Sequence, residues 1–404
     1  MCSIVGGNSL DEKAFSLIQE ARDRGRNFTG LAQNEKGWWI CNHRATPTTE
    51  KQNPNQNQPF GKDFKVVHNG TIQNDKDLGC VEGDLDSFAL TKVLDLKGDL
   101  LSFKDSLRKI KGSYALAAMK EDDIFLACNY KPIWICIEPD GKIYFSSLEH
   151  HFLKDVFTNR PIRMTPYSVL DLKNGYTSEI YRTQHDRAII ICSGGLDSTA
   201  VAAYAREQHK EILLLHFAYG CRAQNAEINA IKNIAKYLDC DYKIVSLPYT
   251  DLTGGSPLLD NSKEISKGEK GAEYAFEWVP ARNFLFLAYT TAYAEANNYG
   301  HIYLGTNLEE GGAYPDNEEQ FILDVNKCLY GAVQNGVKIE IHSPLGGLMK
   351  HEIVQFGEKY GAPFKYSWSC YHDGDKHCGE CGPCYMRKVA FQRAVVDDPT
   401  VYVK

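Results

Sequence analysis

The sequence predicts two domains of different class: an α+β layered sandwich over residues 1–185, then a doubly wound α/β domain over residues 186–404. Three observations lead there. A chain of 404 residues exceeds the size at which one hydrophobic core usually keeps growing. Up to about residue 183, short β-branched and aromatic runs are mixed with a few helical stretches. From Ala188 onward strands and helices alternate, the pattern of a parallel sheet covered on both faces.

Taken in order, strands are expected at Gly37–Cys41, Phe64–His68, Tyr114–Ala118, Ile124–Ala127, Ile133–Ile137 and Ile143–Ser146. Helices are expected at Asp11–Arg24, Asp86–Leu94 and Phe103–Ile110. Thr46–Pro59, crowded with Thr, Asn, Gln and Pro, reads as a polar loop. The second half opens with a strand at Ala188–Cys192 and a helix from Asp197 to about Gln208. A strand at Ile212–Phe217, a helix at Ala223–Leu238 and a strand at Tyr242–Ser246 follow. A helix at Ala281–Asn297 then leads into a strand at His301–Leu304.

Composition narrows the function. The chain is 43% hydrophobic and 24% charged, ordinary for a globular protein. No apolar run nears the roughly 20 residues of a membrane helix, and no basic-then-apolar leader opens the chain. A cytoplasmic protein with no membrane partner is expected. Residues 1–183 hold 24 basic and 24 acidic side chains, whereas residues 184–404 hold 21 and 28, so the net charge of −7 belongs to the second half. Such a surface is no broad platform for a polynucleotide, whose phosphates require excess Lys and Arg. Thirteen cysteines in a reducing compartment point to metal ligands, a nucleophile and small core residues rather than disulfides.

Cys2 follows the initiator Met, and a small second residue permits removal of that Met. The exposed α-amine, with a pKa near 8, could then serve as base for the thiol of the same residue. Met1-Cys2-Ser3-Ile4-Val5-Gly6 is followed by Arg24-Gly25, Asn42-His43-Arg44-Ala45-Thr46 and His68-Asn69-Gly70-Thr71-Ile72. Asp84-Leu85-Asp86-Ser87, Lys111-Gly112-Ser113-Tyr114-Ala115 and Tyr130-Lys131-Pro132 complete the set. This ordered set resembles the class II, N-terminal-nucleophile glutamine amidotransferases, such as the glutaminase domains of asparagine synthetase and glucosamine-6-phosphate synthase. The resemblance implies an αββα sandwich in which Cys2 attacks the glutamine side-chain amide and releases ammonia. Asn69 and the Gly70 N–H would bind the oxyanion, Arg44 the α-carboxylate and Asp86 the α-amino group. Ser3 stands where the family usually has glycine, and Arg26-Asn27-Phe28 replaces the usual x-Asp-Ser after Arg24-Gly25.

Further on, the apolar strand Ile189-Ile190-Ile191 runs into Cys192-Ser193-Gly194-Gly195-Leu196-Asp197-Ser198-Thr199 at the start of a helix. Backbone N–H groups and the helix dipole there favour an anion. The loop has no Walker lysine. Ser193-Gly194-Gly195-Leu196-Asp197-Ser198 resembles the PP-loop of enzymes that split ATP into AMP and pyrophosphate, with Asp197 helping to hold Mg²⁺. Adenylation suits a carboxylate substrate, because it turns a poor leaving oxygen into a phosphate ester that ammonia can displace. Near the C-terminus, Cys370, Cys378, Cys381 and Cys384 stand at metal-binding spacing. Structural Zn²⁺ is the expected occupant and an iron–sulfur cluster the competing one.

Ser367-Trp368-Ser369-Cys370-Tyr371 and Cys378-Gly379-Glu380-Cys381-Gly382-Pro383-Cys384 resemble the 7-cyano-7-deazaguanine synthase (QueC) family. So do Tyr219-Gly220, Trp278-Val279-Pro280-Ala281-Arg282-Asn283, Gly305-Thr306-Asn307, Tyr314-Pro315-Asp316, Ser343-Pro344-Leu345 and Lys350. Asn317 replaces a common Cys. That resemblance implies ATP-driven conversion of 7-carboxy-7-deazaguanine to its amide and then its nitrile. Arg282 and Lys350 would face the acyl-adenylate, with Trp278, Tyr314 and Asp316 near the base. The fusion of the two halves is similar to proteins proposed to make archaeosine, and on that architecture the first expectation is a formamidine built from the nitrile. Its substrate would be a small 7-deazaguanine base, or tRNA or DNA carrying one, and a homodimer is the open expectation for assembly. Glutamine-fed synthesis of the nitrile is the alternative reaction. A silent nucleotide-binding sensor is a third reading, and Cys2, Asn69, Gly194, Gly195 and Asp197 are all present against it.

Overall fold

The computed structural model describes residues 2–46, 57–96, 99–248, 255–269 and 277–403. The chain folds as two compact units, one ending at Arg182 and the other beginning at Thr183. Most of the predicted loop Thr46–Pro59 lies outside the described residues.

The first unit holds β1 (Ser3–Gly7), α1 (Glu12–Glu20), β2 (Phe28–Gln33), β3 (Trp39–Arg44), β4 (Lys65–Ile72), α2 (Leu90–Val93), α3 (Leu100–Ser106) and β5 (Gly112–Met119). It continues with β6 (Ile124–Cys128), β7 (Trp134–Ile137), β8 (Ile143–Ser146), β9 (Ile162–Arg163), β10 (Ser168–Asp171) and β11 (Thr177–Glu179). Two sheets form, ordered β2-β3-β1-β8-β7-β9 and β11-β10-β6-β5-β4, and all their pairings are antiparallel.

Alternation along the strands explains the layering. Ile4, Ile40 and Phe145 of the first sheet pack against Val67, Ala115 and Leu126 of the second. Their neighbours Val5, Trp39, Cys41 and Tyr144 turn to the opposite face, where α1 covers them through Ala14 and Leu17. Phe103 of α3 packs on Phe125 at 5.4 Å beyond the second sheet. The order is therefore helix, sheet, sheet, helix, as the resemblance implied. The expected helix Asp11–Arg24 is capped by the Asp11 carboxylate, which accepts from Ala14 N, and its α-helical part stops at Glu20. Residues 21–24 tighten into a 3₁₀ turn, and the next residue, Gly25, passes so close to the His43 carbonyl that a Cβ would lie 2.1 Å from it.

In the second unit come β12 (Arg187–Ile191), α4 (Leu196–Gln208), β13 (Glu211–Ala218), α5 (Gln224–Leu238), β14 (Asp241–Ser246) and α6 (Arg282–Ala296). The remainder is β15 (His301–Tyr303), α7 (Leu308–Gly311), α8 (Glu319–Ala332), β16 (Glu340–His342), α9 (Lys350–Lys359) and α10 (Gly382–Ala394). One parallel sheet runs β14-β13-β12-β15-β16. Ile189, Ile191 and Leu215 pack against Phe286, Ile322 and Val325 of α6 and α8. Ala188, Ile190 and Leu214 pack on the other face against Ala200, Ile231, Ile353 and Phe391, from α4, α5, α9 and α10. The sheet is doubly wound. Strand order reverses between β12 and β15, the place where folds of this class open a ligand crevice beyond the strand ends.

One buried ion pair of the first unit has a pH signature. Glu138 is buried; its carboxylate accepts from the backbone N–H of Thr158 and Asn159 at 3.2 and 3.1 Å and pairs with Lys13. Burial alone would push its pKa up, but Lys13 and the two amides win and hold it at about 2. A depressed carboxylate stabilises the fold above its unfolded pKa and ceases to do so as pH falls towards the folded one. Stability of the first unit should therefore fall between about pH 4.3 and about pH 2. Urea midpoints measured across that range should be markedly flatter in Glu138→Gln.

Candidate functional site

The thiol of the first unit sits just ahead of β1, an interior strand flanked by β3 and β8. Ser3 pairs with His43, so antiparallel register places Cys2 opposite Arg44, the last residue of β3. Cys2 is half-buried and Arg44 buried. Burial pushes the Cys2 thiol up; Arg44 works against that shift and Asp86 adds to it. All three side chains are thus within electrostatic reach of one another. Asp86 is fixed by the backbone: one carboxylate oxygen accepts from Ile72 N at 2.7 Å, and the other from Ser87 N at 2.7 Å.

Asn69 is buried on β4, and its side-chain amide nitrogen has no hydrogen-bond partner among the described residues. A buried, unsatisfied donor is costly unless a ligand uses it, and here it stands next to Gly70. A Cβ at Gly70 would lie 1.9 Å from the Ser113 carbonyl, so the β4–β5 approach admits only glycine.

Several residues of the quoted segments support the site without having a role assigned from the sequence. Asn42 donates to Ser3 O at 3.1 Å and His68 O at 3.3 Å, tying β1 of one sheet to β4 of the other. His68 contacts Ser87 Oγ at 2.8 Å, and Ser87 Oγ donates to Asp86. A chain of hydrogen bonds thus orients the carboxylate. Ser3, the departure from the family pattern, is fully buried and donates to Ala21 O at 2.6 Å, which anchors the turn before Gly25.

In the second unit, a cavity of about 680 Å³ lies beyond the carboxyl ends of β12, β13 and β15. Ser193, Gly195, Asp197 and Ser198 line it, together with Trp278, Arg282, Tyr314, Asp316 and Lys350. Gly194 faces away: its φ of +81° and a Cβ position 3.0 Å from Ala230 make it the hinge that turns the loop against α5. Gly195 caps α4 without a side chain, leaving the first amides of the helix for an anion. Ser193 Oγ braces the turn by accepting from Gly195 N at 3.2 Å.

Lys350, at the start of α9, donates to Asp197 at 2.5 Å and to Glu310 of α7 at 2.6 Å. Asn307 donates to the same Asp197 oxygen at 3.1 Å. Burial pushes the Asp197 carboxyl up, Lys350 opposes it and Glu310 adds to it. The same lysine holds Glu310 down against burial. The other oxygen of Asp197 is buried with no hydrogen-bond partner among the described residues. Its chemistry suits Mg²⁺, a cation that takes oxygen ligands.

One side of the cavity is aromatic and acidic. Trp278 and Tyr314 stand nearly parallel, at 15°, with ring centroids 6.1 Å apart. Burial works against the charge of Arg282, yet the phenol of Tyr219, 3.4 Å away, leaves its pKa raised. Burial also pushes Asp316 up, and Arg282 lowers it again. Asn317 is buried and donates to Asp316 at 3.4 Å, so this substitution braces a carboxylate. Glu227 belongs to no motif in the sequence; burial pushes it up to about 7 in the same cavity.

The four cysteines converge. Cys378–Cys384 and Cys381–Cys370 sulfur pairs are each 3.9 Å apart. Four sulfurs around zinc at 2.3 Å would stand about 3.8 Å apart in a tetrahedron. Backbone N–H groups of His372, Cys378, Glu380 and Cys381 point at Cys370 or Cys378 sulfur at 3.3–3.4 Å, the donors that thiolates need once charged. Zinc therefore fits, held by Cys370, Cys378, Cys381 and Cys384, and it would fasten α10 to the segment carrying Tyr371. Cys378→Ser should lower bound zinc by about one equivalent per chain in elemental analysis and lower the melting temperature of the second unit.

A family model described as queuosine biosynthesis protein QueC matches residues 187–395. Over a 461-residue alignment spanning all of both chains, the protein is 37% identical to a 7-cyano-7-deazaguanine synthase of Sulfolobus acidocaldarius. It is 40% identical over 234 residues to the synthase of the same name from Methanocaldococcus jannaschii, which covers 54% of this chain and all of its own. Among solved structures, glutamine phosphoribosylpyrophosphate amidotransferase from B. subtilis aligns with 95% of this chain and 96% of its own, at 14% identity and a TM-score of 0.39. Among the described residues, no helix is long and apolar enough to cross a membrane.

Proposed function

The chain belongs to the QueC family, and from that premise we propose that it makes 7-cyano-7-deazaguanine from 7-carboxy-7-deazaguanine, with ATP as activator and glutamine as nitrogen donor. The observation that carries this reading is the cavity in which the PP-loop, a half-buried guanidinium and a parallel aromatic pair face one space. Full-length likeness to a protein named as that synthase supports it. Adding ammonia to a nitrile needs no leaving group and gives an ATP-splitting loop no task. Nitrile synthesis therefore comes first here, ahead of the formamidine that the fusion alone suggested.

The steps follow from the residues. In the first unit, the α-amine exposed by loss of Met1 takes the Cys2 proton, and the thiolate attacks the side-chain carbonyl of glutamine. Asn69 and the Gly70 amide stabilise the oxyanion, Arg44 and Asp86 hold the α-carboxylate and α-amine, and ammonia leaves behind a thioester that water cleaves. In the second unit, the substrate carboxylate attacks the α-phosphorus of ATP and pyrophosphate departs into the cradle of Ser193, Gly195 and Ser198, which Gly194 turns into place. Mg²⁺ held at Asp197 would screen the phosphate charge. Arg282 and Lys350 face the charge that builds on the acyl-adenylate. Ammonia displaces AMP to give the amide. A second ATP adenylates the amide oxygen, and loss of AMP with the nitrogen proton leaves the nitrile. The flat bicyclic base lies against Trp278 and Tyr314 with its N–H edge toward Asp316.

Mass spectrometry should show the carboxylate converted to the nitrile with two AMP formed per turnover. Conversion of added nitrile to a formamidine, with the carboxylate untouched, would overturn the proposal. Cys2→Ala should lower the glutamine-fed rate by at least about 10⁴-fold while the rate with saturating ammonium persists. Glutamine hydrolysis should also track the α-amine: kcat/KM rises with pH through about 8 as the amine loses its proton, and an extra residue ahead of Cys2 should abolish it.

A further inference from the structure

Outside both sites, histidines and carboxylates gather on one face of the parallel sheet, where β15 begins. Parallel register sets His301 opposite Glu340 and Tyr303 opposite His342. Residues two apart on a strand share a face, so these four side chains stand side by side. His301 Nδ1 and His342 Nε2 are 3.0 Å apart. Ligand atoms of His301, Glu340 and His342 all lie within 4.8 Å of one another.

Two imidazoles facing nitrogen to nitrogen at this distance share either a proton or a metal. Zn–N bonds of 2.0–2.1 Å set two nitrogens about 3.3–3.4 Å apart in a tetrahedron, so a shared ion requires these rings to part by only a few tenths of an ångström. The rings are also held in place. His301 lies between His209 and His342, with ring centroids 4.6 and 5.2 Å away. His209 is itself fixed by Asp186 at 2.7 Å and Tyr303 OH at 2.9 Å. Gln184 and Lys338 hold one oxygen of Glu340 at 3.3 and 3.4 Å, which orients the other. His301, Glu340 and His342 are only partly buried, so an ion has a way in. None of these residues lines the ATP cavity.

We propose that His301, His342 and Glu340 bind a divalent transition-metal ion at a site separate from the four-cysteine cluster and from the nucleotide. Two imidazoles and one carboxylate suit Zn²⁺, Co²⁺ or Ni²⁺, whereas Mg²⁺ and Ca²⁺ prefer oxygen ligands alone. Water completes the coordination.

The test uses the full chain already carrying one zinc in its cysteine cluster. Calorimetric titration with Zn²⁺, in excess Mg²⁺, should show one further equivalent bound. His301→Ala and His342→Ala should each weaken that event more than about tenfold. His150→Ala, in the separate Asp23–His150–His151 cluster, should leave it unchanged. Circular dichroism establishes that each variant is folded. Added Zn²⁺ should raise the melting temperature of the parent protein and not that of His301→Ala. Absence of a second equivalent would overturn the proposal, as would a second equivalent that survives both substitutions.

Discussion

A largely buried ammonium between two carboxylates sets the geometry on which the cavity of the second unit depends. Lys350, Asp197 and Glu310 come from three helices, α9, α4 and α7. Lys350 and Asp197 are largely desolvated while Glu310 reaches solvent, and removing the lysine would leave the Asp197 carboxylate without its counter-charge. The triad therefore pins the first turn of α4, which presents the PP-loop amides, to the elements that carry the rest of the pocket. Asp197 commits one oxygen to this lock and turns the other toward the space a cation would fill. Structure and chemistry meet in one carboxylate, since the residue that fixes the helix is also the one suited to hold the metal.

Hydrogen bonds perform the corresponding task in the first unit. Asn42 ties β1 to β4 across the two sheets; Asn69 lies on β4, and Cys2 immediately precedes β1. Asp86 is held by two backbone amides and by Ser87, which in turn meets His68. With so much of the support made by short polar links within a β-sandwich, small errors in strand register would misplace Cys2. This is consistent with the tight fit around Gly25 and Gly70.

Much of this was legible in the sequence because it depends on local chemistry. The strand-loop-helix at residues 187–208 needs only an apolar run, two glycines and a helix start. The four cysteines announce themselves by spacing. Elements beyond the predicted set include β1, α8 and β16. β1 is buried on both faces and lacks the polar alternation of a half-exposed strand, and β16 is only three residues long. Among functional groups, Glu310 and Glu227 gave no signal, because their importance comes from partners distant in sequence, Lys350 for Glu310 and Arg282 for Glu227, and the role of Asn42 within its motif emerges only with the carbonyls of Ser3 and His68. The departures at Ser3 and Asn317 acquired a meaning only once their partners, Ala21 O and Asp316, were in view.

The central claim is that the amide nitrogen of glutamine becomes the nitrile nitrogen of the product. Glutamine labelled with ¹⁵N at its side-chain amide, given with ATP and 7-carboxy-7-deazaguanine in the presence of unlabelled ammonium, tests it directly by mass spectrometry. The account predicts a nitrile one mass unit heavier, with label incorporation lost in Cys2→Ala. An unlabelled nitrile from the parent protein, or label recovered only as free ammonium, would contradict it.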